Sequence, residues 1–146
     1  MPLSNDSKEF IALLNCYGVE YLIVGAHSLA FHAHPRFTGD LDILIRPTSE
    51  NSAKIVAVLN KFGFGNLGVS TSDFTTPEQL IQLGRAPNRI DLLTSISGVD
   101  IDDAFATKAP AELDKLPVYF LSKTLLIANK RAVGRPQDLA DLAELE

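Results

Sequence analysis

The chain has 146 residues, of which 46% are hydrophobic and 21% are charged, and its net charge is −5. These values are ordinary for one globular domain, so we predict a single domain over residues 1–146. One cysteine excludes an internal disulfide framework, and the sequence contains no signal-peptide pattern and no apolar run approaching about 18 residues. We therefore expect a cytoplasmic protein with no membrane association and, because of its negative charge, no broad nucleic-acid binding.

The first half of the chain alternates helical and strand patterns. A capping-box pattern at 6–9 precedes apolar residues at helical spacing, and Gly18 ends this first helix. The β-branched run at 19–24 is typical of a strand, which Gly25 ends. The other elements predicted in this half are a short helix at 26–34, a strand at 40–45 and a helix at 47–63.

The second half continues with shorter elements. The stretch 64–73 is ambiguous, whereas Thr76, Pro77 and Gln79 form an N-terminal helix signal that predicts a helix ending at Gly84. Because strands and helices interleave, we predict an α/β (or α+β) fold with a mixed β-sheet. The other elements predicted in this half are a strand at 88–96, helical turns at 102–107, a strand at 117–121, a helix after Ser122 to 133, and a helix from Pro136 to the end.

Two carboxylates stand in the otherwise apolar strand at 40–45. Side chains two residues apart in a strand share a face, so Asp40 and Asp42 lie side by side while Leu41, Ile43 and Ile45 line the opposite face. At about 6 Å they repel by roughly 0.7 kcal/mol in water and about 3 kcal/mol at an effective dielectric of 20. Such a pair raises one pKa or binds a cation, and it suits Mg²⁺ that also contacts substrate phosphates. The alternative is an amphipathic strand with its polar face in water.

A glycine turn precedes the acidic pair. In Val24-Gly25-Ala26-His27-Ser28 a strand runs through a glycine into a helix, and this geometry presents free N–H groups and the positive end of the helix dipole to an anion. A glycine here is also explained by tight strand–helix packing alone. An anion site beside a carboxylate pair is what phosphoryl or nucleotidyl transfer requires.

Together these motifs resemble the signature of the nucleotidyltransferase superfamily. The stretch LIVGAHSLAFHAHPRFTGDLDILI is similar to its glycine motif followed by Asp-x-Asp, and NRIDLLTSISGV supplies Asp91 where the family places a third acid. The tail LSKTLLIANKRAVGRPQDLADL is similar to the C-terminal helices of small stand-alone members, including those of toxin–antitoxin modules. The resemblance covers roughly residues 10–145 and implies a mixed sheet flanked by helices, with the active site at one edge.

The resemblance also implies a site and a cofactor. Asp40, Asp42 and Asp91 would be catalytic and would bind Mg²⁺ (or Mn²⁺), with Asp91 at a second metal or as the base for the attacking hydroxyl. A nucleoside triphosphate would be the substrate. The residues expected to bind it are Gly25, Ala26, Ser28, Arg36, Lys130 and Arg135.

The basic residues have alternative interpretations. Arg36 contacts phosphate or docks on Glu20, whereas Lys130 and Arg135 line the site or only complement helix ends. Three carboxylates beside a triphosphate require cations, so we expect Lys130 to reach it and its loss to weaken binding without lowering the melting temperature. Three histidines also invite a zinc interpretation, which their spacing does not favour; they are His27, His32 and His34.

Two classes of function follow. The first is a metal-dependent nucleotidyltransferase that acts on a protein or RNA acceptor, as in a toxin–antitoxin or defence pair. The second is a catalytically inactive module of the same fold that binds nucleotide or a partner protein. The intact acidic triad favours the first; Ala26 at the second position of the glycine motif and the lack of a long substrate domain favour the second. Modification of a small molecule is a third possibility.

Overall fold

The computed structural model describes residues 3–33, 40–63, 68–85 and 88–146. Within these ranges a six-stranded sheet is flanked by helices on both faces. The helices are α1 (Asn5–Cys16), α2 (Gly25–His32), α3 (Ser49–Phe62), α4 (Thr71–Thr75), α5 (Ile101–Ala106), α6 (Lys123–Val133) and α7 (Pro136–Leu145). The strands are β1 (Tyr21–Val24), β2 (Leu41–Ile45), β3 (Leu80–Leu83), β4 (Ile90–Leu93), β5 (Ala109–Leu113) and β6 (Leu116–Phe120).

The sheet is mixed, as predicted. Its strand order is β3-β4-β2-β1-β6-β5, in which β2 runs parallel to β4 and β1 runs parallel to β6. The other three neighbouring pairs are antiparallel. The two strands that carry the acidic residues, β2 and β4, are therefore interior neighbours.

Alternating residues of the strands divide the core between the two faces. Leu41, Ile43 and Ile45 pack with α1 and α3, whereas Leu44 packs with α2, α5, α6 and α7. This alternation confirms that Leu41, Ile43 and Ile45 face away from Asp42, whereas Leu44 shares its face. Asp42 thus lies on the face that α2 and the C-terminal helices cover.

Polar side chains cap several of the helices. Ser122 caps α6, as the sequence predicts, and Thr48 caps α3; each side chain accepts a backbone N–H three residues later. Helix α1 begins slightly earlier than the capping-box pattern at 6–9 predicted, because Ser4 accepts the Ser7 N–H at 3.1 Å and acts as the N-cap. None of the described helices is long and apolar enough to cross a membrane.

The predicted helix at 76–84 is wrong. The local helix is α4, which ends before this stretch, and residues 80–83 form β3 at an edge of the sheet. Strand pairing overrides the local capping signal: Leu80 pairs with Leu93, and Thr94 exchanges hydrogen bonds with Gln79, whose N–H donates to the Thr94 hydroxyl at 2.9 Å. This strand provides one wall of the cleft described below.

Strand β5 is an element that the sequence prediction missed. It pairs with β6 through a two-residue turn at Asp114 and Lys115, whose φ angles are 51° and 70°. Two consecutive positive φ angles define a tight hairpin turn that usually contains glycine or asparagine, so Asp-Lys gave no turn signal. Contacts of the Asp114 carboxylate with the Lys8 ammonium and the Leu3 N–H, at 3.0 and 3.3 Å, hold the turn against the N-terminus.

Candidate active site

The three acidic residues predicted from the sequence lie together. Because β2 and β4 are parallel neighbours, Asp42 and Asp91 are register partners, and Asp40 directly precedes β2. Asp91 is only 7% exposed. The cluster lies at the beginning of two interior strands, so its side chains gather at one end of the strands.

Crowding of these carboxylates changes the proton affinity of Asp42. Burial, together with the negative charge of Asp91 and a hydrogen bond to it, raises the pKa of Asp42 from 3.8 to about 7. The charge of Asp40 acts in the same direction, and that of Arg89 opposes it. Two carboxyl groups at hydrogen-bonding distance require a proton or a cation between them. The pair therefore has the electrostatic character of a cation site.

Arg89 is a cation at the site that the sequence motifs did not reveal. Its Nε and one terminal nitrogen donate to the two oxygens of Asp91 at 2.7 and 3.1 Å, and the same terminal nitrogen lies 3.8 Å from an Asp40 oxygen. The Arg89 backbone N–H also donates to Asp40 at 2.9 Å. The alternation rule predicts this proximity, since residues 89 and 91 share a face of the strand.

The glycine turn and the acidic pair are in direct contact. Gly25 has a φ of 68°, and a Cβ atom built on it would lie 2.2 Å from the Asp42 Oδ2 atom. Only glycine satisfies both conditions, since an L-residue is strained at this φ and its side chain would collide with the carboxylate. The motif thus allows Asp42 to lie against the first turn of α2. Among the described residues, no side chain caps this turn, so its N–H groups offer hydrogen bonds to an anion.

The residues that follow Gly25 are placed differently from the expectation. Ser28 is fully buried, and its hydroxyl has no hydrogen-bond partner among the described residues. His27 is also buried, which lowers its pKa. Neither these two residues nor Ala26 lines the cleft at the site. The backbone of the turn is therefore better placed than the Ser28 hydroxyl to meet a phosphate.

A cleft of about 700 Å³ opens beside the acidic pair. Gly25 and Asp42 contribute to it from the turn and β2, whereas other walls come from β3, β4, the loop after β4 and the C-terminal helices. Its lining is mixed, with apolar side chains beside polar ones. The apolar contributors beyond the turn are Leu80, Leu93, Ile96 and Val133. A volume and lining of this kind suit a small organic ligand with a charged end.

The two C-terminal basic residues have different positions. Arg135 lines the cleft, and its side chain is 70% exposed while its Nε donates to Asp138 at 2.7 Å. Lys130 is buried and does not line the cleft; its ammonium group contacts Asp138 at 3.3 Å and Asp141 at 3.0 Å. The Arg135 hydrogen bond, together with Lys130, lowers the pKa of Asp138 to about 2. Lys130 therefore joins α6 to α7, and Arg135 is the one of the two that faces the cleft.

Two of the remaining candidates, Arg36 and His34, lie outside the described residues. His32 is engaged in the fold, because its Nε2 lies 2.6 Å from the Leu121 carbonyl oxygen. Within the described ranges, no group of three or more His, Cys, Asp or Glu side chains is arranged to hold a metal ion. Mg²⁺, however, is commonly bound by one or two carboxylates together with phosphates and water, and the close Asp42–Asp91 pair fits that requirement.

Of the comparisons with known proteins, the one with solved structures bears on the fold. No protein-family model matches the chain, and no curated protein matches it. The structure is similar to that of an antigenic nucleotidyltransferase-like protein from Paracoccidioides brasiliensis, with a TM-score of 0.57, 15% identity, and coverage of 99% of this chain and 78% of that chain. The chain therefore has a nucleotidyltransferase-like fold, as the sequence resemblance implied.

Proposed function

We propose that the protein is a metal-dependent nucleotidyltransferase that transfers a nucleoside monophosphate from a nucleoside triphosphate to a hydroxyl group. The acceptor is a protein or an RNA, and a toxin–antitoxin or defence module is the proposed setting. The fold supports the general class. The choice of metal and substrate rests on the chemistry of the site residues, whereas the acceptor and the setting rest on the resemblance of the sequence to small stand-alone nucleotidyltransferases.

One observation carries the proposal: the glycine turn touches the acidic pair. The Asp42 carboxylate lies directly over the Cα of Gly25, so uncapped N–H groups and paired carboxylates adjoin the same cleft. N–H groups bind phosphate, whereas carboxylates bind the cation that accompanies a triphosphate. A merely structural glycine turn has no need of two carboxylates at hydrogen-bonding distance on the neighbouring strands.

In the proposed reaction the chain's residues bind and orient the reactants. Asp42 and Asp91, with Asp40, would hold the Mg²⁺ or Mn²⁺ ion, which would supply positive charge to offset the negative charge of the triphosphate. The N–H groups at Gly25 bind phosphate oxygens, and Arg135 adds a cation at the cleft. The acceptor oxygen forms a bond to the α-phosphorus as the bond to the bridging oxygen breaks. Pyrophosphate leaves, and Asp91 accepts the hydroxyl proton.

Calorimetry with and without Mg²⁺ tests this proposal. We expect ATP or another nucleoside triphosphate to bind wild-type protein much more tightly with Mg²⁺ than with EDTA, because the metal bridges phosphates and carboxylates. Asp42→Asn should remove most of this difference. Asp6→Asn, which removes an exposed carboxylate from the first turn of α1, is the matched control and should behave as wild type. Equal binding with and without metal in all three proteins would refute the metal site.

The inactive module remains the second candidate because a specific contact favours it. Arg89 already neutralises part of the acidic cluster, as expected of a site that has lost its metal. Incubation of the protein and its host lysate with α-³²P-labelled nucleoside triphosphates separates the two candidates. A labelled acceptor that disappears with Asp42→Asn supports transfer. Nucleotide binding without any labelled product supports the module.

A further inference from the structure

The guanidinium group of Arg89 occupies both oxygens of a proposed metal ligand. Its Nε and terminal nitrogen donate to Oδ1 and Oδ2 of Asp91 at 2.7 and 3.1 Å, so the contact is bidentate. The terminal nitrogen also approaches Asp40 at 3.8 Å. Charge-assisted bidentate pairs of this type are among the strongest polar contacts in proteins.

The backbone of Arg89 is held by hydrogen bonds, whereas its side chain is partly exposed and can rotate into solvent when its contact with Asp91 breaks. Its N–H donates to an Asp40 oxygen at 2.9 Å, and its carbonyl accepts the Leu41 N–H at 2.9 Å, which ties residue 89 to the start of β2. The side chain, by contrast, is 31% exposed. Rotation of this side chain toward solvent would break no backbone hydrogen bond.

A divalent ion and this guanidinium group compete for the same atoms. A metal ion bridging Asp42 and Asp91 needs at least one Asp91 oxygen, and Arg89 uses both. The two cations also repel each other at contact distance. On the basis of the proposed function, we infer that Arg89 is the resident cation of the acidic site and is exchanged for the metal ion when Mg²⁺ or Mn²⁺ binds.

The exchange links metal binding to nucleotide binding. Without nucleotide, a metal ion must displace Arg89 using carboxylates alone, so binding of metal is weak. Phosphate oxygens provide further ligands, and with them the metal displaces Arg89 more readily. Arg89 thus offsets part of the negative charge of the carboxylates when no metal is bound, and it makes metal binding depend on the triphosphate.

Titration of the free protein with Mn²⁺, followed by the electron paramagnetic resonance signal of unbound Mn²⁺, tests the exchange without any activity measurement. Arg89→Gln removes the competing charge, and we expect the Mn²⁺ affinity of this variant to be at least about tenfold higher than that of wild type. The free energy of hydrogen bonds to a charged group is large enough to change an affinity by such a factor. Arg89→Lys keeps the charge but loses the bidentate contact, and its affinity should lie between the two. Arg85→Gln, at an exposed position four residues earlier, is the charge-matched control and should bind as wild type.

The outcomes separate this inference from the proposed function. Unchanged or weaker Mn²⁺ binding by folded Arg89→Gln and Arg89→Lys overturns the exchange, and weaker binding means that Arg89 instead positions Asp91. If wild type then still binds Mn²⁺ with ATP and Asp42→Asn does not, the proposed metal site stands. If no variant binds Mn²⁺ with or without ATP, both the proposed function and the exchange are refuted.

Discussion

At the scale of single residues, the site depends on the contact between Gly25 and Asp42. The sequence presented a glycine turn and a pair of aspartates as two motifs, but the structure joins them, because the carboxylate occupies the space that a Cβ atom would fill. The three acids were predictable from their spacing and from the resemblance. The contact itself was not, since it depends on the register of β1 against β2, which pairs Val24 with Asp42.

Gly25→Ala tests this contact. The new Cβ atom would lie 2.2 Å from the Asp42 Oδ2 atom, and the alanine would have to adopt a φ of 68°. We expect a loss of about 1 kcal/mol of unfolding free energy from the backbone and about 1–3 kcal/mol more from overpacking. Gly84→Ala is the matched control, because its φ is 77° and nothing lies within 4 Å of the position that its methyl group would take. Denaturant unfolding that gives equal losses for the two variants would contradict a close approach of Asp42.

The pKa of Asp42 makes metal-free stability depend on pH. Its folded pKa of about 7 exceeds the ordinary value of 3.8, so Asp42 binds a proton more readily in the folded protein than in the unfolded chain between these limits. In EDTA, the contribution of Asp42 to the unfolding free energy should therefore fall as the pH rises from about 4 to about 7. Asp42→Asn should flatten this decline and be more stable than wild type near pH 7. Chemical denaturation at several pH values measures the slope, and identical slopes in both proteins would argue against a raised pKa.

At the scale of secondary structure, the helix pair α6–α7 is held together by buried charges. Lys130 bridges Asp138 and Asp141, and Arg135 reaches the first of these from the start of α7. The sequence predicted both helices and the break between them from Gly134 and Pro136. It did not predict the partners of Lys130, because residues 130 and 141 meet only after the chain reverses.

Lys130→Ala should lower the melting temperature, in contrast to the expectation from the sequence. Removal of one partner from a buried ionic cluster leaves carboxylates without their cation. We expect a loss of about 3 kcal/mol of unfolding free energy, near the lower end for buried pairs, since Arg135 and Gln137 still contact the two carboxylates. Lys123→Ala, at an exposed position in the first turn of α6, should have little effect. Thermal unfolding of both variants measures this difference. Equal melting temperatures of the two variants would contradict a stabilising role of the Lys130 contacts.

The two edges of the sheet show where prediction from sequence stopped. The predicted helix at 76–84 failed because β4 offers Leu80–Leu83 a pairing partner that the capping signal does not reveal. Strand β5 was missed because the Asp114–Lys115 turn lacks the usual residues. The interior strands β1 and β2, by contrast, were recognised from their β-branched apolar runs, because burial on both faces leaves a stronger pattern.

At the scale of the whole molecule, the fold assembles one cleft from distant parts of the chain. Gly25, Asp42, Leu93 and Arg135 belong to four separate elements or junctions and line the same space. A mixed sheet makes this possible, because parallel pairing of β2 with β4 brings Asp42 into register with Asp91 from a distant part of the sequence. The sequence therefore predicted the members of the acidic cluster better than the contacts of the basic residues. Arg89 was overlooked, and the ion pairs of Lys130 with Asp138 and Asp141 were not predicted, because they are set by tertiary packing.

The central claim is that Asp42, Asp91 and the Gly25 turn form one site for a metal ion and a triphosphate. A crystal structure with Mn²⁺ and a non-hydrolysable nucleoside triphosphate tests it most directly, because Mn²⁺ is located by its anomalous scattering. We expect Mn²⁺ bound to oxygens of Asp42 and Asp91, with a phosphate group at the backbone N–H groups of the Gly25 turn. A nucleotide bound elsewhere, with Arg89 still paired to Asp91 and no metal at the carboxylates, would contradict the claim.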